Sequence, residues 1–330
     1  MKKIMNQAEN YTDDMLKGIY EVHGDMVKCV KDDLRCYCTA KKVPGKVAII
    51  TGGGNGHLPL FLGYVGDGML DGCGVGNVFQ SPSGKQIYNI TKEVEAGAGA
   101  LYLYGNYTGD IMVFDDAAER CEMDDIETRS IVGADDVNSS SDVNVRRGVA
   151  GIFFMYKAAG AKARAMGSLD EVYEAAQKAK DNTRTVGFAL TPCIIPEKGK
   201  PNFELGENEM AMGMGIHGEP GIWNGPIKTA DEIAKESCDT ILKDMPLESG
   251  SEVALLVNGL GSTPLDEQYI LTHSVISYLK EKGIKVYRTW VGEYATSMEM
   301  AGASISICKV DKELKGWFDE PVHTPFYTQV

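Results

Sequence analysis

Apolar runs of strand length alternate along this chain with longer stretches of helical period, and that alternation limits the folds open to it. KVAIITG (46–52), GALYLYGN (99–106), SIVGAD (130–135), TVGFAL (185–190), EVALLVNG (252–259), IKVYRTW (284–290) and SISICKV (304–310) each read as a buried strand. Between them, RGVAGIFFMYKAAGAKARAM (147–166) reads as a helix of small apolar residues. Ser168-Leu169-Asp170-Glu171 and Thr229-Ala230-Asp231-Glu232 each open a further helix as a capping box. The pattern predicts an α/β fold of two α/β domains, with parallel or mixed sheets flanked by helices. For 330 residues the expected division is an N-terminal domain over 1–190 and a second over 191–330, whose C-terminal tail is placed to pack back on the first. Residues 192–228 break the rhythm: they are dense in Pro and Gly without a clear period, and are assigned to the domain junction. A loop this long is usually functional.

A net charge of −14 argues against nucleic acid and anionic membranes as partners, since both repel such a surface. MKKIMNQAENYTDDM carries charge where a signal peptide needs an apolar core, and no run approaches the ~18–20 apolar residues of a membrane span. A cytoplasmic protein is expected. The eight cysteines contain no CxxC pair and the five histidines are scattered singly, so buried reduced thiols are expected rather than a metal site.

The informative stretches combine glycine with a reactive group at a strand end. GGGNGHLP delivers His57 after the strand KVAII, and GNYTGD (105–110) delivers Asp110 after ALYLY. GIHGEPG (215–221) sets His217 among glycines in the long junction loop. Ligand sites of open α/β sheets lie beyond the carboxyl ends of strands, so His57 and Asp110 are placed to face one crevice. Two imidazoles and a carboxylate converging there suit acid–base work. A lone histidine is more often structural, and His23, His273 and His323 keep that reading; an Asp after Thr-Gly is often a helix cap. Nucleotide binding finds little support. The P-loop pattern is absent, and although GMGIHG (213–218) satisfies G-x-G-x-x-G, the preceding ELGENEMAM is no clean strand.

Taken together, GGGNGHLP, FQSPS (79–83), NYTGD, DDV (135–137) with RRGVAG (146–151), GKP (199–201), NEM (208–210), GIHGEPGI, ALLVNGLGSTPL (254–265) and DEPVHTP (319–325) resemble the K subunit of dihydroxyacetone kinases, in order and over nearly the whole chain. The resemblance implies a homodimeric substrate-binding subunit that binds no cofactor itself. Its partner would be an L-type subunit carrying ADP or ATP with Mg, recharged in phosphotransferase-linked systems by a phosphoenolpyruvate-fed component. It further implies that His217 forms a covalent hemiaminal with a short ketose, dihydroxyacetone or a tetrulose such as erythrulose. Asp110 would be the base on the hydroxyl to be phosphorylated and His57 a hydrogen-bonding partner, with Gly54 and Ser81 completing the cradle. The alternative within the family is a paralogue that binds the ketose as a coactivator of a transcription regulator.

Four positions depart from the common pattern. Asn55 and Leu58 stand where GGGSGHEP has Ser and Glu, Gly105 stands where many members have Lys, and Asn77 where many have Glu. The expectation is a crevice with altered charge and, at Gly105, more room.

Overall fold

The computed structural model describes residues 2–330. The first half contains α1 (Tyr11–His23), β1 (Val27–Val30), β2 (Asp33–Thr39), β3 (Ala48–Asn55), β4 (Gly72–Val78), α2 (Gly84–Val94), β5 (Ala100–Gly105), α3 (Thr108–Glu122), β6 (Thr128–Gly133), α4 (Ile152–Arg164) and α5 (Leu169–Asp181). The second contains β7 (Thr183–Ala189), β8 (Glu209–Met212), β9 (Trp223–Pro226), α6 (Ala230–Asp244), β10 (Glu252–Gly259), α7 (Leu265–Glu281), β11 (Lys285–Gly292), β12 (Gly302–Lys309), α8 (Lys312–Asp319), β13 (Val322–His323) and β14 (Thr328–Gln329). No helix among the described residues is long and apolar enough to cross a membrane.

Two six-stranded sheets result. The first runs β1-β2-β4-β3-β5-β6; β4, β3, β5 and β6 are parallel, and the β1–β2 hairpin lies antiparallel at one edge. The second runs β11-β10-β12-β7-β8-β9, with β10 parallel to β11 and every other pair antiparallel. Both capping boxes form as read: the Ser168 and Thr229 hydroxyls accept from the amides of Glu171 and Glu232, whose side chains return to the cap backbone.

Helix α4 shows why the halves cohere. Ile152 to Ala161 are buried on every side, as a helix apolar all round must be. Phe153 and Phe154 meet Trp290 edge-on, and Phe154 also packs on Phe318. One apolar cluster therefore runs from Ile49 and Leu101 through α4 to Leu256 and Phe318. Lys157 is the polar exception in this helix; its Nζ donates to the Glu320 carbonyl at 2.8 Å, and burial, with Arg288 nearby, pushes its ammonium down to about 7. The tail also returns to the first half, through Thr324 Oγ1 donating to the Gly63 carbonyl at 2.8 Å.

Sheet membership differs from the expected division in two places. Strand β7, placed before the boundary at 190, pairs with β12 and β8 in the second sheet. Residues 192–228, read as a junction without period, contain the β8–β9 hairpin at that sheet's edge. EMAM is thus a strand after all, but the glycines beyond it lead to a turn and β9, not to the helix a dinucleotide fingerprint requires.

Asn258, next to the end of β10, is wholly buried, and three of its four side-chain hydrogen bonds go to the segment that approaches the first sheet. Its Nδ2 donates to the Ala295 carbonyl (2.8 Å) and to Ser304 Oγ (3.0 Å), and its Oδ1 accepts from the amides of Tyr294 and Ala295, both 2.8 Å. Replacing Asn258 with Ala strands two buried amides, each worth about 1–3 kcal/mol. Asn258→Ala is expected to lose about 2–4 kcal/mol in urea unfolding; an unchanged midpoint would show that the segment is held by something else.

Candidate active site

Parallel neighbours β3 and β5, in register from Ala48–Ala100 to Ile50–Tyr102, end on the same edge of the first sheet. Strand β3 passes through Gly54 to Asn55, and the chain then turns at Gly56 to reach His57. A Cβ at Gly54 would lie 2.6 Å from the Gln80 amide nitrogen and 2.7 Å from Phe79 Cα, so only glycine lets the FQSPS loop cross there. Gly56 sits at φ +108, in the region that favours glycine. Beyond β5, Asp110 falls in the first turn of α3, where the helix dipole favours a carboxylate.

His57 is buried. Its Nδ1 donates to the Thr296 carbonyl at 2.7 Å, because a carbonyl can only accept, and Nε2 is thereby left as a lone-pair nitrogen. Its ring stacks on Phe79 at 4.9 Å between centroids. Burial, reinforced by the neighbouring His217, holds the imidazole down to about 3, so it stays neutral at physiological pH.

His217 comes from the other sheet, at the tip of the β8–β9 hairpin. Its ring is edge-on to His57 (4.7 Å), Phe79 (5.1 Å) and Tyr107 (4.9 Å), and it is partly exposed. The ring Nδ1 meets Glu219 Oε1 at 2.8 Å and the backbone amide of His217 donates to Oε2 at 2.9 Å. Burial pushes the Glu219 carboxyl up, but the hydrogen bond from the His217 ring and those from backbone amides outweigh it and hold the group down at about 2. Glu219 is ionised and therefore accepts, which puts the His217 proton on Nδ1 and frees Nε2.

Asp110 is buried, and desolvation lifts its carboxyl to about 6 against the opposing hydrogen bond from Ser81 and the nearness of His217. His57, Asp110, His217, Ser81 and the Gly54 turn are thus brought together. Phe79, Tyr107, Thr296 and Glu219 belong to the same site and are not named as site residues from sequence; Phe79, Tyr107 and Glu219 lie inside the FQSPS, GNYTGD and GIHGEPG motifs, and only Thr296 carries no local signal. Among the described residues, seven buried side-chain polar atoms lack a hydrogen-bond partner, and three of them are His57 Nε2, Asp110 Oδ1 and Tyr107 Oη. An unmet buried acceptor costs about 1–3 kcal/mol, so the cluster reads as a place a ligand completes. No group of three or more His, Cys, Asp or Glu among the described residues is arranged for a metal ion.

The departures from the common pattern lie mostly elsewhere. Asn55 is buried against α1, its Nδ2 donating to Thr12 Oγ1 at 3.1 Å. Leu58 is partly buried and packs against the main core. Asn77 is exposed and accepts from Arg35 at 3.0 Å. Gly105 alone borders the site, and it opens no room: a Cβ there would meet the Tyr107 ring at 3.1 Å.

Two sheets with reactive side chains gathered at their facing ends define an α/β protein with one small polar site shared between its halves. The chain belongs to the Dak1 domain family, which matches residues 17–326. The dihydroxyacetone-binding subunit of PTS-dependent dihydroxyacetone kinase 2 from Listeria innocua is 42% identical over 328 residues, covering 99% of each chain. Among solved structures, a dihydroxyacetone kinase operon co-activator superposes with a TM-score of 0.91 at 31% identity, covering 98% of this chain and 99% of that one. The dihydroxyacetone kinase of C. freundii, in complex with AMP-PNP and Mg2+, gives 0.92 at 26% identity, covering 99% of this chain and 61% of that one.

The raised Asp110 carboxyl has a thermodynamic signature. Because its folded value of about 6 exceeds the unfolded 3.8, the native state holds the extra proton between these values, and stability falls as pH rises through that window. Asp110→Asn removes this penalty. The variant is expected to gain up to about 2 kcal/mol over the parent above pH 6 and nothing below pH 4, in urea unfolding across pH. A gap independent of pH would contradict the buried, raised carboxyl.

Proposed function

We propose that this chain is the ketose-binding subunit of a dihydroxyacetone-type kinase, acting with an L-type partner that carries ADP or ATP with Mg. The observation that carries the reading is the pair of buried acceptors, His57 Nε2 and Asp110 Oδ1, left without donors beside the freed His217 Nε2. Acceptors without donors call for a ligand that brings hydroxyl groups. A lone-pair imidazole nitrogen calls for an electrophilic carbon. A short ketose supplies both, whereas glycerol lacks the second.

In this mechanism the Nε2 lone pair of His217 forms a C–N bond with the ketone carbon and the C=O π pair moves to oxygen, which takes a proton. The hemiaminal holds the sugar still while His57 Nε2 accepts from one hydroxyl and Asp110 Oδ1 from the other. Asp110 takes that proton as the oxygen attacks the phosphoryl group, the role an aspartate plays in other phosphoryl transfers. A base near 6 is suited to the task at neutral pH. The Gly54 backbone and the Ser81 turn close the cradle. The Tyr107 ring occupies the space that a side chain at position 105 would take.

The likeness to a co-activator supports a second reading, in which the ketose is sensed and not phosphorylated. Against it stands Asp110: its carboxyl is buried with Oδ1 left without a donor, which is costly to keep, and the C–N bond at His217 forms without a base at that position. Turnover decides between them. Wild-type protein mixed with dihydroxyacetone and a nucleotide-charged L-type subunit is expected to yield the phosphorylated sugar. Asp110→Asn should retain the triose adduct by mass spectrometry and lose at least about 100-fold in turnover, as removal of a general base does. His217→Ala should lose the adduct and much of the discrimination against glycerol. Adduct without turnover in the wild type would favour the sensor; turnover retained in Asp110→Asn would remove it as the base.

A further inference from the structure

The His217 loop is shaped around Glu219 as much as around the histidine. The carboxylate spans the ring Nδ1 (2.8 Å) and the backbone amide of the same residue (2.9 Å), so both oxygens are engaged and the ring cannot turn without breaking a charged contact. Room for this is made at Gly215, where a Cβ would lie 2.1 Å from Glu219 Oε2. The loop is pinned from outside by Asn202, whose Nδ2 donates to the His217 carbonyl at 2.8 Å. Glu219 stays ionised far below neutral pH, held at about 2 against its own burial.

We infer that Glu219 is a positioning residue for the ketose-capturing histidine, keeping the proton on Nδ1 so that Nε2 faces the substrate as a lone pair. A neutral imidazole has two tautomers, and only this one can add to a carbonyl through Nε2. When the C–N bond forms, the C=O π pair moves to oxygen, which takes a proton from water, and the ring keeps its Nδ1 proton. The ring is then a cation, and the Glu219 carboxylate lies against it. The inference rests on the proposed capture at His217, but makes a separate claim about which nitrogen is free.

Nitrogen-15 NMR of the wild-type protein at neutral pH should show the His217 ring protonated on Nδ1, and Glu219→Gln should show a mixture. Gln can offer an acceptor to the ring or to the backbone amide, but not to both. Titration with dihydroxyacetone should find capture weakened about 10–100-fold in Glu219→Gln, as loss of an orienting partner typically does. Glu219→Asp should recover part of it. With the L-type subunit present, the loss should appear in KM more than in kcat, because Glu219 does not touch the reacting hydroxyl. A wild-type ring protonated on Nε2, or Glu219→Gln with unchanged tautomer and affinity, overturns the positioning role and leaves capture intact. A wild-type protein that forms no adduct overturns both, and is distinguished by that missing adduct. Should Glu219→Gln not fold, the wild-type tautomer and Glu219→Asp still decide.

Discussion

The site depends on a short stretch of backbone pairing between the two halves. The Met298 amide donates to the Gly56 carbonyl at 2.7 Å, the Thr296 amide to the His57 carbonyl at 3.2 Å, and Thr296 Oγ1 to the Leu58 carbonyl at 2.9 Å. The His57 ring returns the contact by donating to the Thr296 carbonyl. This seam fixes the position and tautomer of His57 together, using residues more than two hundred positions apart. Asn258 holds the far side of the seam and the aromatic cluster around α4 holds its base, so the site exists only once both sheets have docked. Function is thereby coupled to global folding rather than to either half.

Within the seam, burial acts in opposite directions on its two titratable groups. It removes charge from His57, driving the imidazole down, and from Asp110, driving the carboxyl up. Environments that push neighbouring values apart are how one site keeps an acceptor neutral and a base poised near working pH. The third group is handled differently: His217 is only partly buried and is controlled by a carboxylate partner. In the proposed capture His217 is the nucleophile, and a group that must be reached needs exposure, so its state is set by a specific contact and not by desolvation.

Much of this was legible in the sequence because local rules and tertiary structure agree. The seven apolar runs form strands, both capping boxes form, and the shared edge for His57 and Asp110 follows from β3 and β5 being parallel. The misses have physical causes. Strand β4, GCGVGNV, has glycine at three of its seven positions because Gly72 and Gly74 admit the side chains of Ile90 and Ile87 and Gly76 the Gln80 backbone, a tertiary demand invisible to propensity. The β8–β9 hairpin is short and Gly-rich, so it carries no period to read. Thr296 contributes only a carbonyl, which any residue possesses, so nothing in the sequence could single it out. The continuity of the core was hidden because α4 serves both halves at once.

The departures from the family pattern bear on specificity in a way their positions alone do not suggest. Proximity in sequence to GGGNGHLP, FQSPS and NYTGD places all four near the crevice, yet Asn55 ties β3 to α1, Leu58 packs against the core and Asn77 faces Arg35. A residue adjacent to a motif in a strand or tight turn points to the opposite side as often as to the same one. What bounds the site is a box of rings, Phe79, Tyr107 and the two imidazoles, each within about 5 Å of the His217 centroid. The loss of a side chain at Gly105 is absorbed by Tyr107 before it can reach the ligand. On the proposed reading, ligand size is set by this aromatic packing, which spans both sheets, and a change of substrate would have to move a ring, not simply exchange a charge.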